Sequence, residues 1–430
     1  MVKELPQYKK KNVKRHRRSA KNVITDDVVM TSSKNNEKHE YKTKSRTPNP
    51  ERKKINIIRG NKYRNRYRRL AIALTCLVIA GIITLISLLT PTGITETIIN
   101  LSASLKAGNV YPVKLSGGTL VSSTSQDNHV FLVSTTNFEC YNNSGKNIFS
   151  YQHGHQAPIL SVSEARTLLY DQSGKNYSVY NLNSQLLKGT TEREILAANI
   201  ARNGNFAIAT LSDSYSSMVT VYDKKGNSIF EWYCADYTIN AVLLSPNGKQ
   251  LAVSAISAVN GAFISRVYVL EFDSADAKQK YDYNDLILGI EKVSNSGFAV
   301  IGEHNSDFIN WKKGKIGTFS TDDNVILSRS YKSSLLLVTG RTANKNESTV
   351  SVFDAKGNNK HSFVFEGIIN NIEYKGTEVY ILSEKTIYKY SLKGELLGST
   401  QCEFGTRFIY PISKSEISSI TDNIMRKLNF

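Results

Sequence analysis

His153-Gly154-His155 is where residue type and spacing come nearest to chemistry in this 430-residue chain. In a strand, H-x-H places both rings on one face, where two imidazoles can share a metal ion. A third ligand is needed and none stands nearby, so the pair is expected in an exposed loop. His129, His304 and His361 are isolated and should be surface or capped residues. The acidic pair in Thr321-Asp322-Asp323-Asn324 lacks the alternate-position oxygens of a calcium loop, which makes a solvated turn the default. No G-x-S-x-G elbow, G-x-x-x-x-G-K-[ST] phosphate loop or H-E-x-x-H zinc helix occurs. Asn142-Asn143-Ser144 and Asn346-Glu347-Ser348 are sequons by pattern. No catalytic residue, metal ligand set or cofactor site is therefore expected.

The elements that position these residues begin with an uncharged run, Leu70 to Thr90. Its 21 residues span roughly 31 Å as a helix, enough to cross a hydrocarbon core of about 30 Å. Lys62, Arg64, Arg66, Arg68 and Arg69 crowd its N-terminal side, whereas no basic residue follows it until Lys106. Positive flanks stay in the cytoplasm, so the N-terminus should be inside and the rest of the chain outside. A cleaved signal is disfavoured, because a 69-residue tail precedes a run longer than a signal's apolar core. Cys76 lies mid-run rather than at its end, which argues against lipidation.

Charge divides the chain at the same place. Residues 1–69 hold 23 Lys and Arg against 6 Asp and Glu, a net of +17, while the whole chain is +18. The remaining residues are thus almost balanced, and the outer part should carry no footprint for nucleic acid. The tail is polar, Lys/Asn/Ser-rich and aperiodic, so disorder is expected. Its clusters Lys9–Lys21 and Arg52–Arg69 should sit near anionic lipid; a cytoplasmic partner or nucleic acid is the less favoured reading.

Beyond residue 109 the sequence repeats. A short turn leads into an apolar strand: Asn203-Gly204-Asn205 before FAIAT, Asn247-Gly248-Lys249 before LAVSA, Asn295-Ser296-Gly297 before FAVIG. Weaker copies make eight, with turns near 127, 165, 204, 248, 297, 333, 376 and 414. A period near 40 with several strands per unit marks a β-propeller blade. A second, alternating strand follows each, ending in an aromatic residue and a glycine turn, as in VTVYDKKG, VSVFDAKG and IYKYSLKG. The chain ends after IMRKLNF with one outer strand missing, and Val110–Leu115 (VYPVKL) is free to supply it. Eight blades closed in this way are expected, with seven as the alternative. Small residues such as Ala207, Ala209, Ala252 and Ala299 should mark the inner strands. Cys140, Cys234 and Cys402 are an odd set for which three buried thiols are preferred over one pair.

SPNGKQLAVS at 245–254 resembles the turn-and-strand signature of WD40-like and TolB-like propellers, and VYDKKGN and VFDAKGN resemble the repeats of PQQ-like (quinoprotein-like) propellers. The whole plan is similar to an uncharacterised family of membrane-anchored proteins from low-GC Gram-positive bacteria. The resemblance implies an all-β propeller behind one transmembrane helix, organised as a tail (1–69), span (70–90), linker (91–108) and extracytoplasmic propeller (109–430). There is no regular Gly-His and Trp-Asp pair, no adjacent Cys-Cys, and only Trp232 and Trp311 where quinoprotein dehydrogenases repeat a tryptophan motif, so no quinone is expected. The implied function is non-catalytic binding of cell-envelope proteins or glycans through loops at one end of the ring, with Ala255–Ser265 the segment to test. A propeller hydrolase or lyase acting on surface polymer, or a transmembrane sensor, is the competing reading.

Overall fold

The structure, a computed structural model, describes residues 66–84, Glu96, Ile98, Ser102 and the chain from Val110 to Phe430 apart from 127, 165, 342 and 343. The expected tail, the end of the apolar run and most of the linker lie outside the described residues. Arg66–Thr84 is a helix of 19 residues, about 28 Å long at helical rise. Among the described residues it is the one helix long and apolar enough to cross a membrane. Its aliphatic side chains are exposed on every side, with Leu74 68% and Leu77 72% accessible.

From Val113 onward the chain is all β. Eight four-stranded antiparallel sheets follow one another as blades: Leu120–Gln152, Pro158–Thr190, Ile195–Cys234, Thr238–Tyr283, Ile287–Ser320, Asn324–Glu366, Asn371–Gln401 and Phe408–Asn429. Seven run in simple sequence order from the innermost to the outermost strand. The eighth takes its outermost strand from the other end of the domain, Val113–Lys114, which pairs with Ile424–Asn429 in the register Val113↔Met425 and Lys114↔Ile424. The expected eightfold ring and its closure are both present.

There is no single central core. Instead eight apolar clusters each join two adjacent blades, one per seam. The closing seam packs Val113, Leu120, Tyr141, Tyr410, Ile420 and Met425 together. Burial corrects the strand assignment made from sequence. Strands such as FAIAT and GFAVIG are buried at every position, yet they are the second strands of their blades. The innermost strands are the ones before the turns, such as ILAANI, and show mixed burial. The reason is geometric: a second strand has a blade on each face and a strand on each edge, whereas an innermost strand borders the channel.

The turns explain the aromatic-then-glycine signature. In the third blade Asp223 Oδ1 accepts from Lys225 N and Asn227 N at 2.8 and 2.9 Å, and in the sixth Asp354 Oδ1 accepts from Lys356 N and Asn358 N at 2.9 and 3.1 Å. Gly226 and Gly357 complete these Asx turns at φ 90° and 85°. Asn142 plays the same part in the first blade, where its Oδ1 accepts from Ser144 N and Lys146 N. That sequon asparagine is therefore buried as a turn cap.

Polar side chains on the innermost strands tie neighbouring blades together. Asn199 donates to Ser161 Oγ and accepts from Leu244 N; Asn240 donates to Ile287 O at 2.7 Å; Ser328 donates to Glu291 at 2.5 Å; Leu120 N donates to Asp422 across the closing seam at 2.8 Å. Between the sixth and seventh blades the tie is ionic, Arg329 Nε to Glu373 Oε1 at 3.6 Å. Burial pushes the Glu373 carboxyl up to about 7, and Arg329 offsets this only in part.

Two outcomes follow. Met425 is fully buried in the closing seam, so Met425→Ala should cost about 2–4 kcal/mol, whereas Ile229→Ala on an exposed outer strand should cost under ~0.5 kcal/mol; equilibrium urea unfolding read by Trp232 and Trp311 compares them. For Glu373, the folded state takes up a proton that the unfolded state lacks between roughly pH 4.3 and 7. Its contribution is therefore most favourable below that window and falls as pH rises to about 7. The protein should lose about 2–3 kcal/mol from this group between pH 5 and pH 8, and Glu373→Gln should flatten that slope.

Candidate functional site

Because strands alternate in direction, the turns between first and second strands and between third and fourth strands lie on one face of the ring, here called lower. The turns between second and third strands and the connections between blades lie on the other, upper, face. Hydrogen bonds agree: Asn203 donates to Asn247 O between two lower turns, and Asn324 donates to Glu303 between two upper loops.

The innermost strands enclose a channel of about 1010 Å³ along the ring axis. At its upper mouth five blades repeat one irregularity. The ladder between first and second strands skips a residue at Val121, Leu196, Asn240, Leu288 and Ile326. Such a bulge leaves one residue unpaired and re-aims its side chain. Three of these residues, Val121, Leu288 and Ile326, line the channel mouth at 39%, 48% and 53% exposure. Gly340 gives Ile326 its place, since a Cβ there would stand 2.7 Å from the Ile326 methyl. Deeper in, the wall turns polar. Lys375 Nζ donates to Pro411 O and Ile412 O at 2.7 and 3.2 Å, and burial lowers its pKa. Glu291, Arg329, Glu373 and Lys375 are thus each engaged with a neighbouring blade, whereas Val121, Leu288 and Ile326 at the mouth stay exposed.

The upper face adds two further features. Its turns carry eleven acidic and four basic side chains among the described residues, and Arg193 and Arg407 among the basic ones are paired with Asp213 and Asp422. The fourth blade also raises a long hairpin, Gln250–Val259 and Ala262–Glu271, ten residues per strand. The expected insertion at 255–265 is no loose loop, because the ladder continues without a break to Val259↔Ala262. Asn260 and Gly261 at φ 52° and 81° form the two-residue turn that matches strand twist. Val259 and Phe263 flank this tip and are 49% and 55% exposed.

The residues singled out for chemistry fall elsewhere and do not converge. His153 and His155 occupy the loop between the first and second blades with rings stacked at 5.4 Å between centroids. His153 Nε2 bonds Ser134 O and its Nδ1 accepts from His155 N, so both nitrogens serve the loop. His155 is buried rather than exposed, and burial, then His153, lowers its pKa. His129 is likewise buried, within a second strand. Asp323 N donates to Thr321 Oγ1 in a turn, as expected. Sequence reasoning missed one grouping: Asp285, Glu303 and His304 bring ligand atoms within 4.8 Å. Asp285 already accepts from Leu286 N, His304 N and Asn305 N, so the group reads as a loop cap. Cys140 and Cys234 are buried thiols, while Cys402 is only half-buried and corrects the expectation of three buried ones. The exposed bulges were also missed; two aliphatics in a row at the start of a strand, Leu120-Val121, Ile287-Leu288 and Val325-Ile326, were their signal, since strict alternation would bury only one of each pair.

Solved structures of low identity share the fold. Sqt1 of Saccharomyces cerevisiae superposes with TM-score 0.54 at 10% identity, covering 74% of this chain and 98% of that one. The C-terminal WD40 domain of Sif2 gives 0.55 at 10%, covering 74% and 97%. BamB from Moraxella catarrhalis gives 0.50 at 9%, covering 75% and 99%. These likenesses speak to the fold alone. Comparison with curated proteins gives no match. The family model described as "Family of unknown function (DUF5711)" matches residues 110–430, the entire ring, and the chain belongs to that family.

Proposed function

We propose that the protein is a single-pass membrane anchor, N-terminus inside, that holds a non-catalytic β-propeller outside the cell membrane, where its upper face binds a protein of the cell envelope. The carrying observation is the hairpin Gln250–Glu271, which puts Val259 and Phe263 in water on a rigid, fully paired ladder. Apolar groups held outward on rigid elements, within a polar rim, are the usual form of a binding anchor. The acidic loops around it favour a partner with a basic rim. The apolar helix and the basic residues before it support the anchor and its orientation, and the basic tail suits anionic lipid of the inner leaflet.

Proximity labelling with a labelling enzyme fused after Phe430, in the native host, tests this reading. A small, reproducible set of envelope proteins should appear with the native chain and be depleted about tenfold or more in a Val259→Ser, Phe263→Ser double variant. Because both side chains are exposed, the variant should unfold within ~0.5 kcal/mol of the native protein. An unchanged set of neighbours in the variant refutes the hairpin as the binding element, and a set dominated by cytoplasmic proteins refutes the topology.

A further inference from the structure

We infer that the lower face of the ring docks on an anionic lipid surface, so that the propeller lies flat against the membrane that anchors it and turns its upper face away. The inference rests on the anchor reading above and deepens it.

Charge is the first observation. Among the described residues, the lower turns carry thirteen Lys and Arg against five Asp and Glu, a net of +8, whereas the upper loops net −7. Every blade contributes at least one lower cation, and ten of the thirteen are exposed lysines, Lys312, Lys313, Lys356 and Lys393 among them. Cations spread round a whole ring suit a charged plane better than a single strand of polyanion, which needs a track and stacking aromatics.

Connection to the anchor is the second. Arg166 sits in a lower turn, only 7% exposed, with Nη2 and Nε on Glu96 Oε1 and Oε2 at 2.5 and 3.2 Å and Nη1 on Lys224 O at 2.7 Å. A buried, bidentate guanidinium–carboxylate pair fixes geometry as well as charge. Glu96 is therefore held on the lower face. Glu96 follows Thr90, the last residue of the uncharged run, by six positions, and six residues reach at most about 20 Å. With the run in a bilayer, the lower face cannot leave the lipid surface far behind. Lysines act on lipid over roughly a Debye length, about 8 Å at physiological ionic strength, so holding this particular face close is what lets its charge count.

The test uses the full chain in nanodiscs of phosphatidylcholine alone or with one third phosphatidylglycerol, read by lysine acetylation and mass spectrometry. Lys312, Lys313, Lys356 and Lys393 should label ~3-fold or more slowly in anionic discs, an effect erased near 1 M salt, while Lys175 and Lys385 on the upper face should not change. A Lys312→Glu, Lys313→Glu, Lys356→Glu variant, altered only at exposed turns, should lose the protection at Lys393. A chain washed from both discs by alkaline carbonate overturns the anchor reading, and this inference with it. A chain retained in both whose lower-face lysines label equally, or whose upper-face lysines are the protected ones, overturns the inference alone. So does stronger protection by soluble polyphosphate in neutral discs, which would reassign the face to a soluble polyanion.

Discussion

A β-sheet with two apolar faces is stable only when both are covered, and here each blade has no other cover than its neighbours. The ring must therefore close, and everything else depends on that closure. Eight clusters occupy eight seams, and the last exists because Val113–Lys114 pairs with the C-terminal strand. Only two residues on each side make the ladder; the seam is sealed by Met425, Leu120 and Tyr141 packing behind it and by Asp422 capping Leu120 N. Closure also removes the open edge that would otherwise recruit another chain.

Closure fixes where polar groups can go. The second strand of each blade has sheet on both faces and strands on both edges and is mostly apolar, whereas the innermost strand borders a channel and can carry Asn199, Glu291, Arg329 and Glu373. Those groups are spent on joining blades. Glu373 shows the cost, since burial beside a single arginine at 3.6 Å leaves its carboxyl near neutrality. At the upper mouth the same strands do the reverse. Bulges at Val121, Leu288 and Ile326 turn aliphatic side chains out where nothing in the ring requires them, and the hairpin tip does so again with Val259 and Phe263. Bulges also occur beside the lower turns, at Ile229, Ile316 and Leu397 of the outermost strands, so what distinguishes the upper end is that its exposed aliphatics stand at the channel mouth and on the hairpin tip, in keeping with a binding module.

The two faces differ because antiparallel strands send alternate turns to opposite sides. Lower turns are Asx and Gly turns rich in lysine; upper turns and connections are acidic. Glu96 on Arg166 ties one residue from before the ring to the lower face. A ring with cations on one face and carboxylates on the other can distinguish two surroundings by charge alone, without any added domain.

The sequence by itself determined the repeat, the number of blades, the Velcro-like closure and the apolar helix, because each is written in local periodicity: turn residues every 40 or so positions, alternation between them, an uncharged run of helical span. Local pattern also identified Asp223 and Asp354 turns, whose bonds run within five residues. It misplaced the innermost strands, since FAIAT and GFAVIG announce burial but not which neighbours bury them. It placed His155 in an exposed loop, since one residue's type does not reveal how the chain around it folds. Tertiary structure alone decided that Asp285 meets His304, that Arg329 meets Glu373 across a seam, and that Arg166 holds Glu96. It also separated a nearly neutral composition beyond residue 69 into lower turns of +8 and upper loops of −7. Summing charge along a chain cancels what antiparallel folding separates, because consecutive turns, adjacent in sequence, stand at opposite ends of the sheet.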